Sequence, residues 1–393
     1  GLKYDLEQCS YHWHRLGAYA EMKLGSRDIC DRFVIPEKLY GRQAEVKTLL
    51  GAFERVTQGT TEMILVAGFS GIGKTAVVNE VQKPIVRQRG YFIQGKFDQF
   101  QRNIPFSAIV QALRDLMEQL LTETDAQLQQ WKAQILSAVG ENGQVMVDVI
   151  PELERIIGKQ PPADELSGTA AQNRFNLLFS KFIQVFTSKE HPLVIFLDDL
   201  QWADSASLKL LQLLMAETNS SYLLLIGAYR DNEVNPTHPL MLTLSEMAKV
   251  GVQLNTITLE PLSKFDLNHL IADTLTCGIE LAQPLTELVA QKTKGNPFFA
   301  TQFLKSLHHD RLISFNFEQG YWQCDIAQIR RLALTDDLVE FMALQLQKLP
   351  KETQDVLKLA ACIGHQFDLD TLAIIHDKSP TETATRSEEH TSE

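Results

Sequence analysis

Cysteine is scarce in this chain: five thiols in 393 residues, at Cys9, Cys30, Cys277, Cys324 and Cys362, with no CxxC pair. An odd number of scattered thiols offers neither a disulfide framework nor a cysteine zinc site, and suits a reducing cytoplasm. Long apolar runs are missing as well. The longest are Met63–Gly68, Leu193–Leu197 and Leu223–Ala228, far short of the roughly 20 residues that cross a bilayer. No basic segment followed by an apolar one opens the chain, so the expectation is a cytoplasmic protein without a membrane partner. Basic residues are outnumbered, 37 against 49 acidic, for a net charge of −12. That balance argues against nucleic acid as a partner. The chain starts at Gly1 without a methionine, and Arg386–Glu393 (RSEEHTSE) reads as the translation of a sequencing-adapter oligonucleotide, the alternative being a natural polar tail. Domains are therefore expected beyond both ends, and 386–393 carries no fold reasoning.

What is present is the composition of a globular protein, 44% hydrophobic and 22% charged, at a length that suits two or three domains. Residues 1–35 are mixed: Leu2, Leu6 and Cys9 suit the end of a preceding domain's helix, and Ser26–Asp31 a polar linker. From Pro36 to Leu259 short apolar strands alternate with amphipathic helices. The strands are Met63–Ala67, Tyr91–Gln94, Leu193–Leu197, Tyr222–Ala228 and Gln253–Leu259; between them lie helical patterns such as Glu45–Arg55, Phe106–Leu121 and Gln172–Thr187. Nearly all-apolar strands in such alternation predict a three-layer α/β domain, a parallel sheet covered on both faces. After Pro261 the pattern turns helical. A helical lid is expected over 260–310, with helices from Ser263 or Asp266 to Leu275, Pro284–Lys294 and Pro297–His308. A hairpin linker follows over 311–334. Helices at Thr335–Leu349, Lys351–Ile363 and Asp368–Asp377 read as a partial winged helix over 335–385.

The chemistry begins at Gly68-Phe69-Ser70-Gly71-Ile72-Gly73-Lys74-Thr75, a GxxxxGK[ST] P-loop placed after a buried strand and before a helix, with Ala76 in its first turn. Glycines let successive N–H groups turn inward onto phosphate oxygens, and the helix adds its positive N-terminal end. Lys74 supplies a point charge for the β- and γ-phosphates and Thr75 a hydroxyl for Mg²⁺. A P-loop needs an acidic partner at a neighbouring strand end. Leu193–Leu197 followed by Asp198-Asp199 provides one: Asp198 as Mg²⁺ ligand and Asp199 as general base for the attacking water. Asp204 suits the cap of the next helix better than either. Arg230, just past a strand end, suits a sensor of the γ-phosphate; the rival reading pairs it with Asp231 or Glu233. His12-Trp13-His14 and His308-His309 lack partners at ligand spacing, and Trp202 reads as packing.

These residues resemble the AAA-type, STAND-class ATPase module of large bacterial serine/threonine and histidine signalling kinases, related to that of MalT-like activators. The resemblance runs from about Pro36 to Ile375. It rests on Leu39-Tyr40-Gly41-Arg42 with Glu45, the P-loop, Leu197-Asp198-Asp199-Leu200-Gln201-Trp202-Ala203-Asp204, Tyr229-Arg230 and Lys294-Gly295-Asn296-Pro297-Phe298-Phe299. It implies that Gly41 and Arg42 lie near the nucleotide and that Pro297 contacts it near the adenine; the rival reading of Pro297 is a plain first helical residue. It also implies ATP over GTP, and a sheet with the arginine strand between the P-loop strand and the acidic strand. The head Gly1–Glu7 is similar to the tail after the kinase domain in those proteins, but no Gly-rich kinase loop, HRD or DFG occurs here. The expected function is an ATP- and Mg²⁺-dependent signalling switch with other domains of the same protein as partners and with nucleotide-dependent self-association, its hydrolysis slow unless a partner chain donates a further arginine. The alternatives are a non-hydrolysing nucleotide-bound scaffold and an ATP-dependent DNA-binding regulator.

Overall fold

The computed structural model describes residues 6–7, 9–11, 13–14, 32–100, 104–216, 221–332, 343, 346–363 and 368–388. The expected linker Ser26–Asp31, His12, most of the Thr335–Leu349 helix and the end of the tail, 389–393, lie outside those residues. The chain divides into two units, Gly1–Gly41 with Pro261–Lys348, and Arg42–Glu260 with Leu349–Glu393.

The second unit is built on five parallel strands, β1 Thr61–Ala67, β2 Tyr91–Lys96, β3 Leu193–Asp198, β4 Leu223–Tyr229 and β5 Leu254–Thr258, in the order β2-β3-β4-β1-β5. Strands β3 and β4 are buried at every residue, as a sheet covered on both faces requires. Alternate residues Met63, Leu65 and Ala67 face a core shared with helices Ser107–Leu120, Asp125–Val139, Gly168–Val185, Ser205–Ala216 and Pro239–Lys249. Their buried neighbours Ile64 and Val66 point to the other face, where helices Gln43–Thr57 and Lys74–Arg87 contact the sheet. This is the three-layer P-loop fold. The arginine strand β4 lies between β1 and β3, the order the resemblance implied.

Two devices fit helix Ser107–Leu120 to the open edge of β2. Gln119 Nε2 donates to the Phe92 carbonyl at 3.2 Å and Gln111 Oε1 accepts from the Lys96 amide at 3.0 Å, so backbone groups at this edge are satisfied by side chains. Gly95 leaves room for the helix backbone: a Cβ there would lie 1.8 Å from the Ala108 carbonyl oxygen.

The first unit contains helices Lys264–Leu275, Ile279–Thr293 and Pro297–His309, and the antiparallel hairpin β6 Ile313–Asn316 with β7 Tyr321–Cys324. Its middle helix starts at Ile279, not at Pro284 as the sequence suggested. Pro284 sits inside it, forgoing one early backbone hydrogen bond while Leu285, Leu288 and Val289 pack in the core. The stretch before Gly41 belongs here too. Phe33 stacks on His308 at 4.4 Å and meets Trp322 edge-on, so His308 is an aromatic packing partner. Tyr40 donates from its hydroxyl to Asp273 at 2.8 Å. In the C-terminal part, Lys351–Ile363, Leu369–His376 and Pro380–Glu388 are helices that pack together, with Val356, Ala360 and Leu372 at their centre.

Candidate phosphate-binding site

Parallel strands share an edge, and the register shows what gathers there. Ala67 pairs with Tyr229 and with Thr258, Leu197 with Gly227, and Lys96 with Asp198. The residues just beyond these pairs therefore converge at the carboxyl edge of the sheet: the P-loop after β1, Asp199 after β3, Arg230 after β4.

The loop itself turns through Gly68, Gly71 and Gly73 at φ 148°, 74° and 97°, conformations that favour glycine. Gly73 caps helix Lys74–Arg87 in the left-handed region, and the Val77 amide donates to its carbonyl at 3.0 Å. Lys74 is buried, and its Nζ donates back to the Gly68 and Phe69 carbonyls at 2.8 and 3.0 Å. Burial pushes the Lys74 ammonium below its ordinary pKa; Asp198 and Asp199 pull the other way, while Arg230 adds to the depression.

Thr75 Oγ1 donates to Asp198 Oδ2 at 2.7 Å, and the Asp199 amide donates to Asp198 Oδ1 at 2.9 Å. Loop and acidic strand end are thus joined through one carboxylate. Asp199 is left-handed, φ 54° and ψ 44°, unusual for a residue with a Cβ and less so for Asp than for most. Its carboxylate is buried among donors: Gln201 Nε2 at 2.8 Å and Arg230 Nε at 3.4 Å on Oδ1, Lys96 Nζ at 3.3 Å on Oδ2. Gln201 Oε1 in turn accepts from the Arg230 amide at 3.1 Å. Arg230 also pairs with Glu233 at 2.7 Å and lies over the Trp202 ring at 4.6 Å, so the local ion pair is present at the sheet edge, and Trp202 packs against a guanidinium. Leu200 fills the space left by Gly227, where a Cβ would come within 2.3 Å of its Cδ1; this seats the turn that carries Gln201 and Trp202. Asp204 caps helix Ser205–Ala216, accepting from the Ser207 amide at 2.9 Å.

Lys96 escaped the sequence reading. A lysine at the end of an edge strand looks like a solubilising charge; only the Lys96–Asp198 register pair brings it to Asp199. The remaining expected residues sit as follows. Arg42 is buried in the same unit as the P-loop, its Nη2 donating to the Glu260 and Ile72 carbonyls at 2.6 and 3.4 Å. Gly41 and Pro297 belong to the other unit. Gly41 is left-handed at φ 63°, and a Cβ there would meet the Asp266 carboxyl carbon at 2.4 Å. Pro297 is the first residue of its helix, capped by Asn296, whose Oδ1 accepts from the Phe299 amide at 3.4 Å. No group of three or more His, Cys, Asp or Glu suited to a metal occurs among the described residues, and no helix among them is long and apolar enough to cross a membrane.

Residues 38–226 match the AAA ATPase domain family. The chain is similar to hybrid signal transduction histidine kinase G of Dictyostelium discoideum, 33% identical over an alignment covering 92% of the chain and 12% of that protein. It is also similar to peroxide stress-activated histidine kinase mak2 of Schizosaccharomyces pombe, 25% identical over 80% of the chain and 14% of that protein. The chain thus spans about one eighth of the length of these relatives. Among solved structures it is similar to the ORC2 protein of Aeropyrum pernix, with 12% identity, a TM-score of 0.47, and coverage of 92% of this chain and 84% of that one.

Proposed function

Because residues 38–226 carry an AAA-type P-loop ATPase domain similar to one within histidine kinases, we propose that the chain is the ATP-driven switch of a longer cytoplasmic signalling protein, hydrolysing its nucleotide slowly. The observation that carries this reading is the 2.7 Å hydrogen bond from Thr75 to Asp198. It brings a hydroxyl and a carboxylate, oxygen donors of the kind Mg²⁺ takes, beside a buried lysine and a loop of three glycines.

The donor set fits the group. Thr75 and Asp198 would hold Mg²⁺, which supplies neutralising charge to the phosphates. The amides of residues 68–76 cradle the phosphate chain and Lys74 faces its β- and γ-groups. Asp199 takes the proton of the attacking water as the oxygen–phosphorus bond to ADP breaks. Lys96 and Gln201 hold Asp199 in place meanwhile, and Arg230 exchanges its carboxylate partners for the γ-phosphate when that group is present. Arg42, buried in the same unit as the loop, holds the Ile72 carbonyl. Taking a two-state equilibrium from 1:99 to 99:1 requires about 5.5 kcal/mol of preference, within reach of a few charge-assisted hydrogen bonds. An arginine from a second copy of the chain would raise turnover by about 10³–10⁵.

Phosphate release by the wild type, Lys74→Ala and Asp199→Asn, with ATP binding measured alongside, tests the reading. The wild type is expected to release phosphate and both variants to lose that activity. A wild type that binds ATP but releases no more phosphate than the variants would leave a nucleotide-bound scaffold in its place.

A further inference from the structure

The P-loop has a weak point in its own backbone. The peptide joining Ile72 to Gly73 is followed by a glycine at φ 97°, which has no Cβ to resist its reorientation. A trans peptide is planar, with its carbonyl and the following N–H on opposite sides. The direction of the Ile72 carbonyl therefore dictates where the Gly73 amide points. Something must hold it.

Arg42 does. Its side chain is 6% exposed, a setting in which an unpaired cation would be costly. The guanidinium is matched by Glu45, 3.6 Å from Nη1, and by two backbone carbonyls on Nη2: Ile72 at 3.4 Å and Glu260 at 2.6 Å. Ile72 is turned towards Arg42, so the Gly73 N–H is turned away from it, on the side of that peptide opposite the guanidinium. Glu260 is the last residue of the sheet unit before the chain passes to Pro261. Directly before it, Leu259 is fixed to β1 by its amide, which donates to the Ala67 carbonyl at 2.9 Å.

We propose that Arg42 is a positioning residue that acts through backbone and not on the nucleotide: it orients the Ile72–Gly73 peptide for phosphate and ties that peptide to the chain exit at Glu260. The inference rests on the nucleotide-binding reading and adds a route by which phosphate occupancy reaches residue 260. One side-chain atom spans both carbonyls, so loop and exit move together or the bond to one of them breaks. Lysine can hold either carbonyl, without the planar fork that grips Glu45 as well.

The test uses the full chain with three probes, Mg-ATP, Mg-ADP and Mg-tripolyphosphate, the last having no base or ribose. Arg42→Met is expected to weaken all three in parallel by about tenfold, the scale of one hydrogen bond to a charged group, and Arg42→Lys by less. Hydrogen exchange supplies the second readout. In the wild type, saturating ADP is expected to slow exchange over 259–262 as well as over 68–76; in Arg42→Met, saturated at higher ADP, the slowing over 259–262 disappears. Loss of ATP and ADP affinity with tripolyphosphate unchanged would make Arg42 a base or ribose contact and overturn the proposal. So would unchanged affinities for all three, or slowing over 259–262 that survives the substitution. Should Arg42→Met fail to fold, Arg42→Lys carries the same comparison, with a smaller parallel loss expected. A wild type that binds none of the probes refutes the nucleotide reading itself.

Discussion

Thr75 and Asp198, 123 positions apart in the chain, share a hydrogen bond of 2.7 Å between hydroxyl and carboxylate. One comes from the helix that closes the P-loop, the other from the last position of β3. If the pair also receives Mg²⁺, Thr75→Val removes a donor and leaves Asp198 less well oriented. The expected result is a Mg²⁺ half-saturation raised by about 10–100-fold, the usual cost of disturbing a ligating group's support, with a smaller change in nucleotide affinity without metal. Titration of nucleotide binding against Mg²⁺ checks it; an unchanged half-saturation would remove Thr75 from the metal site.

Asp199 and the groups around it make a separable prediction. Asp199→Asn is expected to lower the hydrolysis rate by about 10²–10⁴-fold while nucleotide affinity stays close to that of the wild type. Gln201→Leu removes the contacts that link Asp199 to the Arg230 amide and should lower the rate without a matching loss of binding. Single-turnover phosphate release and equilibrium binding on the same preparations separate the two effects.

Lys74 predicts a pH dependence. Burial lowers its pKa in the folded chain, so folding disfavours the ammonium form. A lysine with a lowered folded pKa weakens the fold fully at pH below that value, and the effect fades as pH rises towards the ordinary lysine range. Lys74→Met should therefore gain stability relative to the wild type near neutral pH, with the gap narrowing in alkali. Melting temperatures of both proteins across that range decide the matter; a gap that widens with pH would contradict the assigned cause.

Gly41 is a position where an alanine has nowhere to go. Its left-handed φ costs a residue with a Cβ about 1–2 kcal/mol, and the new Cβ would strike the Asp266 carboxyl group. That carboxyl accepts from the Ser263 hydroxyl at 2.6 Å at the start of helix Lys264–Leu275. Gly41→Ala is expected to destabilise the chain by about 2–3 kcal/mol once disturbance of that cap is included. In the Asp266→Ala background the penalty should fall towards the backbone part alone, because the two sites share one contact. Equal penalties in both backgrounds, measured by denaturant unfolding, would exclude the clash.

How much of this was legible beforehand follows from the range of the forces involved. The P-loop, the acidic pair and the arginine stand beside apolar strands whose burial is written in their composition, so the strands and the three-layer α/β class could be read locally. The helix start at Ile279 could not. Proline is a local signal for a helix start, and it was overruled by Ala282, Leu285 and Val289, buried in a core that the sequence does not display.

By itself, the sequence determined which candidate groups this protein offers a phosphate and a metal ion, and in what local frame each is held: three glycines that permit the loop, a lysine and threonine opening a helix, two carboxylates ending a strand. Only the tertiary structure decided which distant groups share atoms with them. Lys96 reaches Asp199 because β2 pairs with β3 in one register, and a shift of one residue would turn it to the opposite face of the sheet. Arg42 grips Ile72 and Glu260, 30 and 218 positions away, because a buried guanidinium must find acceptors wherever packing leaves carbonyls within its reach. Periodicity and motif spacing are properties of neighbours along the chain. Register and desolvation are properties of the folded whole.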